Sequence, residues 1–346
     1  SGCEVDLVNI SNGALTATSN VAGMYQMEVL ENSTNKIIPE KNTSPLNGLN
    51  TLDIIKIRQH ILNVATFKQA EQWIAADVNN SGTISASDML EIRQLILGNT
   101  TNFKNNKSWR FINTNEPFDR ASPLKGTFAE SATISQLEEG TTINFTAIKI
   151  GDVDGTAIPN TTISTESRNS DKVFTLKLDD TQLKTGDTYT ATFTTEEFST
   201  LQGYQLSLQT DALSIEKVQS QFGGKDNFGL TQLKKGLFST SWNRTTPLTE
   251  EVPATAALFQ VTFKAKKDGL LSELIALEAQ PTPIEAYDLE GNIMGIKLKF
   301  NASYGDQPLE LFQNEPNPFK GETSIGFYLP EDSEIEMIFR DEAGRV

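Results

Sequence analysis

The chain has 346 residues, more than one ordinary domain of about 100–150 residues holds, so two or three domains with real cores are expected. Lysine and arginine total 29 against 45 aspartates and glutamates, a formal charge of −16 that repels phosphate backbones and anionic lipid. That balance argues against nucleic acid and suits divalent cations, although solvated acidic faces account for it equally well.

One cysteine, Cys3, excludes an internal disulfide, which leaves metal ions or packed cores to hold an exported chain together. With a single histidine, His60, and no G-x-S-x-G element, the common hydrolytic triads are excluded. A carboxylate pair is the catalytic chemistry left formally open, but no acid and base stand out, so the chain reads as non-catalytic. No window approaches the run of about 18 apolar residues that a membrane span needs.

Residues 1–41 hold short alternating runs, 4–8 and 24–30, separated by Ser, Asn and Gly, which predict strands at the tail of a β-sandwich. From Leu49 the period becomes helical, with Leu52, Ile54, Ile55, Ile57, Ile61 and Leu62 in one apolar stripe and His60 beside it, expected to pack or face solvent. A second helix carries Met89, Leu90, Ile92, Leu95, Ile96 and Leu97. Shifting the first segment so that Asp53 falls on Asp88 also pairs Ile57 with Ile92, Arg58 with Arg93, Gln59 with Gln94, Ile61 with Ile96 and Leu62 with Leu97. The loop-helix unit is duplicated. Short strands return between Asn99 and Gly151, clearest at 109–111 and 143–150. Residues 158–170, rich in Thr, Ser, Asn and Pro, read as a linker. Beyond it, 171–302 alternates almost throughout, with polar turns, as an all-β sandwich does.

Ahead of the second helix, Asp77, Asn79, Ser81, Ser85 and Asp88 stand at positions one, three, five, nine and twelve of a loop. Calcium takes six to eight oxygens, and this spacing wraps one turn of chain around it. Gly82 permits the bend at position six, Thr83 offers its carbonyl at seven, Ser85 acts through water, and Ile84 points inward. Position twelve is Asp where EF-hands place Glu. A polar turn that merely caps a helix is the plainer alternative.

The first copy is degenerate. Asp53 is position twelve and Asn50 position nine, but positions five and one fall on Leu46 and Asn42. Residues 151–155, Gly-Asp-Val-Asp-Gly, look like the opening of such a loop at the far end of the same segment. Asp152 and Asp154 are therefore expected beside Asn47, Asn50 and Asp53 in a split calcium site; a tight Asp-Gly turn accounts for them equally well. The split site requires the Asp152 and Asp53 carboxylates to lie within about 8 Å of each other.

With the duplication and loop in view, residues 42–157 resemble a dockerin carrying an inserted strand region. The resemblance implies cohesin contacts through Thr51, Leu52, Ala86 and Ser87 with Arg58 and Arg93. Residues 171–302 look like a cohesin-type (jelly-roll) sandwich, through 185–188, 203–208, 241–243, 257–263 and 285–287, with Trp242 in or against the core. Residues 22–29 are similar to the last strands of carboxypeptidase-regulatory-like repeats. Residues 306–346, through 311–319, 323–330 and 344–346, resemble the first half of the type IX secretion sorting domain of Bacteroidetes, which implies export across the outer membrane; one more proline-bounded hairpin is the alternative. Ser1-Gly2-Cys3 is similar to the end of a lipoprotein signal, with no apolar stretch before it.

Together these resemblances imply a mainly β, multi-domain, secreted or cell-surface structural or adhesive protein, stabilised by Ca2+. Its partners would be modules of the same or a neighbouring chain, and pairing between chains would build a filament. The competing expectation is a carbohydrate-binding accessory region of a larger secreted enzyme, with extracellular polysaccharide as partner.

Overall fold

In a computed structural model, the described residues are 8–29, 33–136, 141–159, 172–245 and 253–302, with 310–314, 317, 318, 320–328, 335–338 and 345 of the C-terminal part. Cys3, most of the 158–170 linker and much of the sorting-domain stretch lie outside them. Within that last stretch β19 (Glu310–Leu311) pairs antiparallel with β20 (Phe327–Tyr328).

The helical unit is built from α1 (Thr51–Ile61), α2 (Ala70–Ala76) and α3 (Ala86–Ile96). Its duplication extends to the caps. The Asn50 side chain accepts from the Leu52 N–H at 2.8 Å while Asp53 accepts from the Asn50 N–H at 3.0 Å. Ser85 and Asp88 repeat this on the Ser87 and Ser85 N–H groups at 3.2 and 2.9 Å. Both are capping boxes, which satisfy helix donors that have no intrahelical partner. The short α2 gave no periodic signal of its own.

Ile54, Ile57, Ile74, Ile92, Leu95 and Ile96 meet Leu49, Ile112, Ile148, Ile150 and Val153 in one core, so the inserted strands β4 (Trp109–Asn113) and β6 (Phe145–Lys149) pack beneath the helices. Two residues of the α1 stripe, Leu52 and Ile55, leave this core for another surface. Ile61 and Leu62, expected on the stripe, are exposed, whereas their counterparts at the end of α3, Ile96 and Leu97, are buried.

The N-terminal strands β1 (Asn9–Asn12), β2 (Leu15–Thr18) and β3 (Asn35–Glu40) form a sheet in the order β2-β1-β3-β5, with β5 (Ala132–Ile134) coming from the insertion. Val8, Ile10, Ile37 and Ala132 share a core with Trp109 and Phe111. Pairing and packing thus run across residue 41, with β3 joined to β5 of the insertion. Residues 24–29, expected as a strand, are not one; Tyr25, Met27 and Val29 alternate because they lie on this core.

The sandwich is a single curled sheet, built from β7 (Val173–Asp180), β9 (Thr188–Thr195), β10 (Leu201–Gln209), β11 (Leu213–Gln219), β12 (Phe228–Gly229), β13 (Leu237–Asn243), β14 (Ala256–Ala265), β16 (Ala276–Glu278), β17 (Glu285–Asp288) and β18 (Ile293–Ala302). Its order is β11-β14-β9-β7-β18-β17-β10-β13-β12, with β16 also on β10; β8 (Gln182–Leu183) and β15 (Gly269–Leu270) pair separately, and α4 (Leu271–Leu274) follows β15. The parallel pairing of β7 with β18 joins the two halves. Phe174, Phe193, Phe259, Phe263, Tyr204, Phe238 and Trp242 fill the space between them. Trp242 is in the core, with its indole N–H on the Phe222 carbonyl at 2.7 Å.

Burial along the strands is uneven. In β9 alternate residues are covered, as one solvated face requires, whereas seven residues of β13 and eight of the nine in β10 are buried. Something covers the outer face of β10 and β13.

Candidate functional site

In the second loop Asp77 sits at the C-terminal end of α2, and its carboxylate accepts from the Ser81 and Gly82 N–H groups at 2.8 and 2.9 Å. Asp88, fully buried, accepts from the Asn79 N–H at 3.1 Å and closes the turn. The Ser81 hydroxyl donates to the Thr83 carbonyl at 3.1 Å. Ile84 packs on the helical core. Burial, foremost, raises the Asp88 carboxyl above its ordinary range, with the Asp77 charge adding to it.

The first copy repeats these bonds with its two halves taken from opposite ends of the module. The Asp152 carboxylate accepts from the Gly155, Thr156 and Ala157 N–H groups at 2.8, 3.0 and 2.7 Å, as Asp77 does in its own loop. Asp53 accepts from the Val153 and Asp154 N–H groups at 2.9 and 3.3 Å, the second as Asp88 does from Asn79. The Thr156 hydroxyl donates to the Gly48 carbonyl at 3.0 Å, as Ser81 does to Thr83. Positions one, three and five are thus Asp152, Asp154 and Thr156, and positions seven, nine and twelve are Gly48, Asn50 and Asp53. Carboxylate oxygens of Asp53, Asp152 and Asp154 all lie within 4.8 Å of one another, inside the separation that one shared ion demands.

Thr156 and the Gly48 carbonyl escaped the sequence reading, although Thr156 follows Asp152 at the interval that separates Ser81 from Asp77. Asn47 is elsewhere: its amide bridges the Ile158 carbonyl and N–H at 2.7 and 3.0 Å, tying the two chain segments together.

A divalent cation fits this donor set. Three carboxylates converge, Asp53 is fully buried, and Asp154 Oδ1 is buried without a hydrogen-bond partner. Burial and the Asp154 and Asp152 charges raise the Asp53 carboxyl well above the usual range; burial and Asp154 push Asp152 up to about 6. A hard ion with oxygen ligands would offset this repulsion, and the mixture of carboxylate, carbonyl and hydroxyl oxygens suits calcium. Beside them Lys149, pushed down to about 7 by burial, donates to the Pro45 and Ile150 carbonyls at 2.8 and 2.9 Å.

The covered sandwich face lies against α1 and α3. The Thr51 N–H donates to Gln205 Oε1 at 2.7 Å, and the Thr51 hydroxyl meets Gln205 Oε1 and Ser241 Oγ at 2.9 and 2.8 Å. Leu52 and Ile55 pack on Tyr287 and Ile293. Arg58 donates to the Thr245 carbonyl at 2.6 Å, Arg93 bonds Asn243 Oδ1, Asn99 donates to the Phe228 carbonyl at 3.3 Å, and Thr231 returns a bond to the Gly98 carbonyl at 3.0 Å. The sheet is bared for this approach at Gly229, where a Cβ would fall 2.3 Å from the Leu97 carbonyl oxygen. Residues 48–101 match the dockerin type I domain.

Within the dockerin module, Thr51, Leu52, Arg58 and Arg93, four of the six residues expected to face a cohesin, touch the chain's own sandwich; Ala86 and Ser87 are exposed. The sandwich is similar to solved cohesins. A chain of a type I cohesin–dockerin complex from Clostridium thermocellum matches at 16% identity over 39% of this chain and 94% of that one, TM-score 0.31. A type II cohesin from Bacteroides cellulosolvens matches at 16% identity over 38% and 99%, TM-score 0.29. A non-cellulosomal cohesin from the archaeon Archaeoglobus fulgidus matches at 18% identity over 37% and 86%, TM-score 0.27. No curated protein matches the sequence. No helix among the described residues is long and apolar enough to cross a membrane.

His60 is spent on packing: it stacks on Phe67 with ring centroids 4.2 Å apart, meets Trp73 edge-on at 4.4 Å, and its Nδ1 accepts from the Phe67 N–H at 3.1 Å.

Proposed function

We propose that the chain is a non-catalytic, secreted or cell-surface structural or adhesive protein in which a calcium-stabilised dockerin module is paired with a cohesin-like sandwich of the same chain. The seating of Thr51 on Gln205 and Ser241 carries this reading. It gives the buried polar face of β10 and β13 a partner inside the chain, and a buried polar face without one would be costly. Calcium would be held by Asp77, Asn79, Ser81, Thr83, Ser85 and Asp88 in one loop. In the split loop it would be held by Asp152, Asp154, Thr156, Gly48, Asn50 and Asp53, with Asn47 clamping the halves. Export by the type IX route rests on the resemblance at the C-terminal part alone.

Pairing between chains, and so a filament, is the second reading, and one observation favours it. The joint is largely polar, with one small apolar cluster, as in interfaces whose partners also exist apart. Carbohydrate binding has less support, because Trp109, Trp242 and Tyr204 are spent in cores.

Size-exclusion chromatography with light scattering, from micromolar to millimolar chain in calcium, separates the readings. Pairing within the chain keeps the monomer mass throughout. A mass that rises with concentration, and falls back to the monomer in Gln205→Ala, overturns it in favour of exchange between chains.

A further inference from the structure

The inserted segment follows the dockerin match at 48–101 and precedes the opening of the split loop at Asp152, and it folds back over the other loop, 77–88. It meets that loop at three points. The Asn106 amide donates to the Asp77 carbonyl at 3.1 Å, Arg110 Nη1 donates to Asn80 Oδ1 at 3.0 Å, and the Leu124 carbonyl oxygen stands 3.7 Å from where a Cβ on Gly82 would lie. Arg110 is itself fixed. Its Nε and Nη2 fork onto the Glu130 carboxylate at 2.9 Å each, its guanidinium lies over the Phe128 ring at 4.5 Å, and only 16% of its side chain is exposed. A planar fork held in this way keeps its remaining donor pointing in one direction.

Asn80 stands at position four, which supplies no oxygen to the cation in a loop of this kind. Its φ is +56°, in the left-handed region that costs a residue with a Cβ more than it costs glycine. In the split loop the same place belongs to Gly155, φ +74°, where a Cβ would meet nothing within 4 Å. The two loops therefore make one backbone turn in two ways: the split loop with glycine beside open space, the 77–88 loop with an asparagine whose side chain the inserted segment grips.

We infer that the inserted segment is a brace for the 77–88 loop, with Arg110 as its positioning residue: it keeps the empty loop in its cation-holding shape and thereby raises the affinity of that loop for calcium. This rests on the calcium reading above. Asn80 lies between Asn79 and Ser81, two of the residues expected to hold the ion, and the turn it makes presents the Ser81 and Gly82 N–H groups to Asp77. Pinning Asn80 fixes all of these together. A loop already ordered when the ion arrives gives up less of the binding free energy to ordering.

Two variants cut the brace from opposite sides. Arg110→Ala removes the donor; Asn80→Gly removes the acceptor, leaves Arg110 on Glu130 and relieves the positive φ. Hydrogen exchange followed by NMR on the full chain in chelator reads the empty loop, and calcium titration calorimetry reads the ion, with Asp77→Asn and Asp154→Asn assigning the event of each loop. Both variants should speed exchange of the Ser81 and Gly82 amides at least about fivefold, leave the Gly155 and Thr156 amides unchanged, and lose at least about fivefold in affinity at the event removed by Asp77→Asn. The double variant should lose no more than Arg110→Ala alone. Unchanged exchange at Ser81 and Gly82, or an equal rise at Gly155 and Thr156, overturns the brace. Losses that add in the double variant overturn the Arg110–Asn80 bond as its cause. Faster exchange with unchanged affinity overturns the step from order to calcium. A wild-type chain that lacks the event sensitive to Asp77→Asn overturns the calcium reading of this loop, and the inference with it.

Discussion

Thr51 and Gln205 meet twice across the joint, through the backbone N–H at 2.7 Å and the hydroxyl at 2.9 Å, on one amide oxygen. Neither residue is accessible to water. The pair therefore acts as a stringent reporter of docking, because a buried donor left unpaired is costly whereas a solvated one is not.

Thr51→Val keeps the shape of the side chain and deletes the hydroxyl, stranding Ser241 Oγ. A loss of about 1–3 kcal/mol in urea unfolding is expected. Ser87→Ala, at an exposed cap-region position of the second repeat, should stay within about 0.5 kcal/mol. Equal effects of the two substitutions would mean that the joint does not form in solution.

Gly48 and Gly82 occupy neighbouring places in the two loops and both have positive φ, +80° and +78°. A Cβ at Gly82 meets only the Leu124 carbonyl at 3.7 Å, but at Gly48 it would lie 2.6 Å from the Ala157 backbone. Gly82→Ala should cost about 1–2 kcal/mol from backbone strain alone. Gly48→Ala should cost more and should also weaken closure of the split loop. Thermal melts of the two variants, in calcium and in chelator, check the order; the reverse order would sink the closure of the module's two ends at Gly48 and Ala157.

The carboxylates give the calcium-free chain a pH dependence of known sign. Asp53 and Asp152 are raised in the folded state, Asp152 to about 6. A group raised on folding contributes stability that is fully present below its unfolded value, about 3.9, and is lost as pH rises through the folded one. Without calcium the module should therefore weaken between about pH 4 and pH 7. Calcium removes that loss by pairing the charges, so the gap between calcium-loaded and chelated melting temperatures should widen as pH rises across this window. A gap that is constant with pH would contradict the clustering of the three carboxylates.

His60 behaves in the opposite sense. Burial lowers its pKa below the ordinary 6.5, and protonation would remove the acceptor for the Phe67 N–H. Its contribution is present above about 6.5 and is lost as pH falls through the lower folded value. The chain has one histidine, so the ring-proton NMR titration needs no assignment; a midpoint at or above 6.5 would show that the stack with Phe67 and Trp73 does not persist.

Some of this was determined by the residues in order along the chain. The 3.6 and 2 periods separated helical module from sandwich, the repeat of Asp53 at Asp88 exposed the duplication, and the oxygen spacing from Asp77 to Asp88 marked a loop that these two carboxylates close on backbone N–H groups, because each of these depends on neighbours within a turn or a strand. Even the split loop was partly legible, since Asp152 and Asp154 have the interval of a loop opening; what hid Thr156 and the Gly48 carbonyl was that one ligand set is drawn from segments about a hundred residues apart.

Which residues meet in the docking was decided by tertiary structure alone. In β10 the residues Gly203, Gln205 and Ser207 alternate with Tyr204, Leu206 and Leu208, a pattern indistinguishable from a strand with one face in water. Periodicity reports which side is apolar, but a polar side can be buried as completely when another surface supplies its hydrogen bonds. Here the donor is Thr51, 154 residues away; the dockerin resemblance named Thr51 as a contact, but nothing in either segment matched it to Gln205.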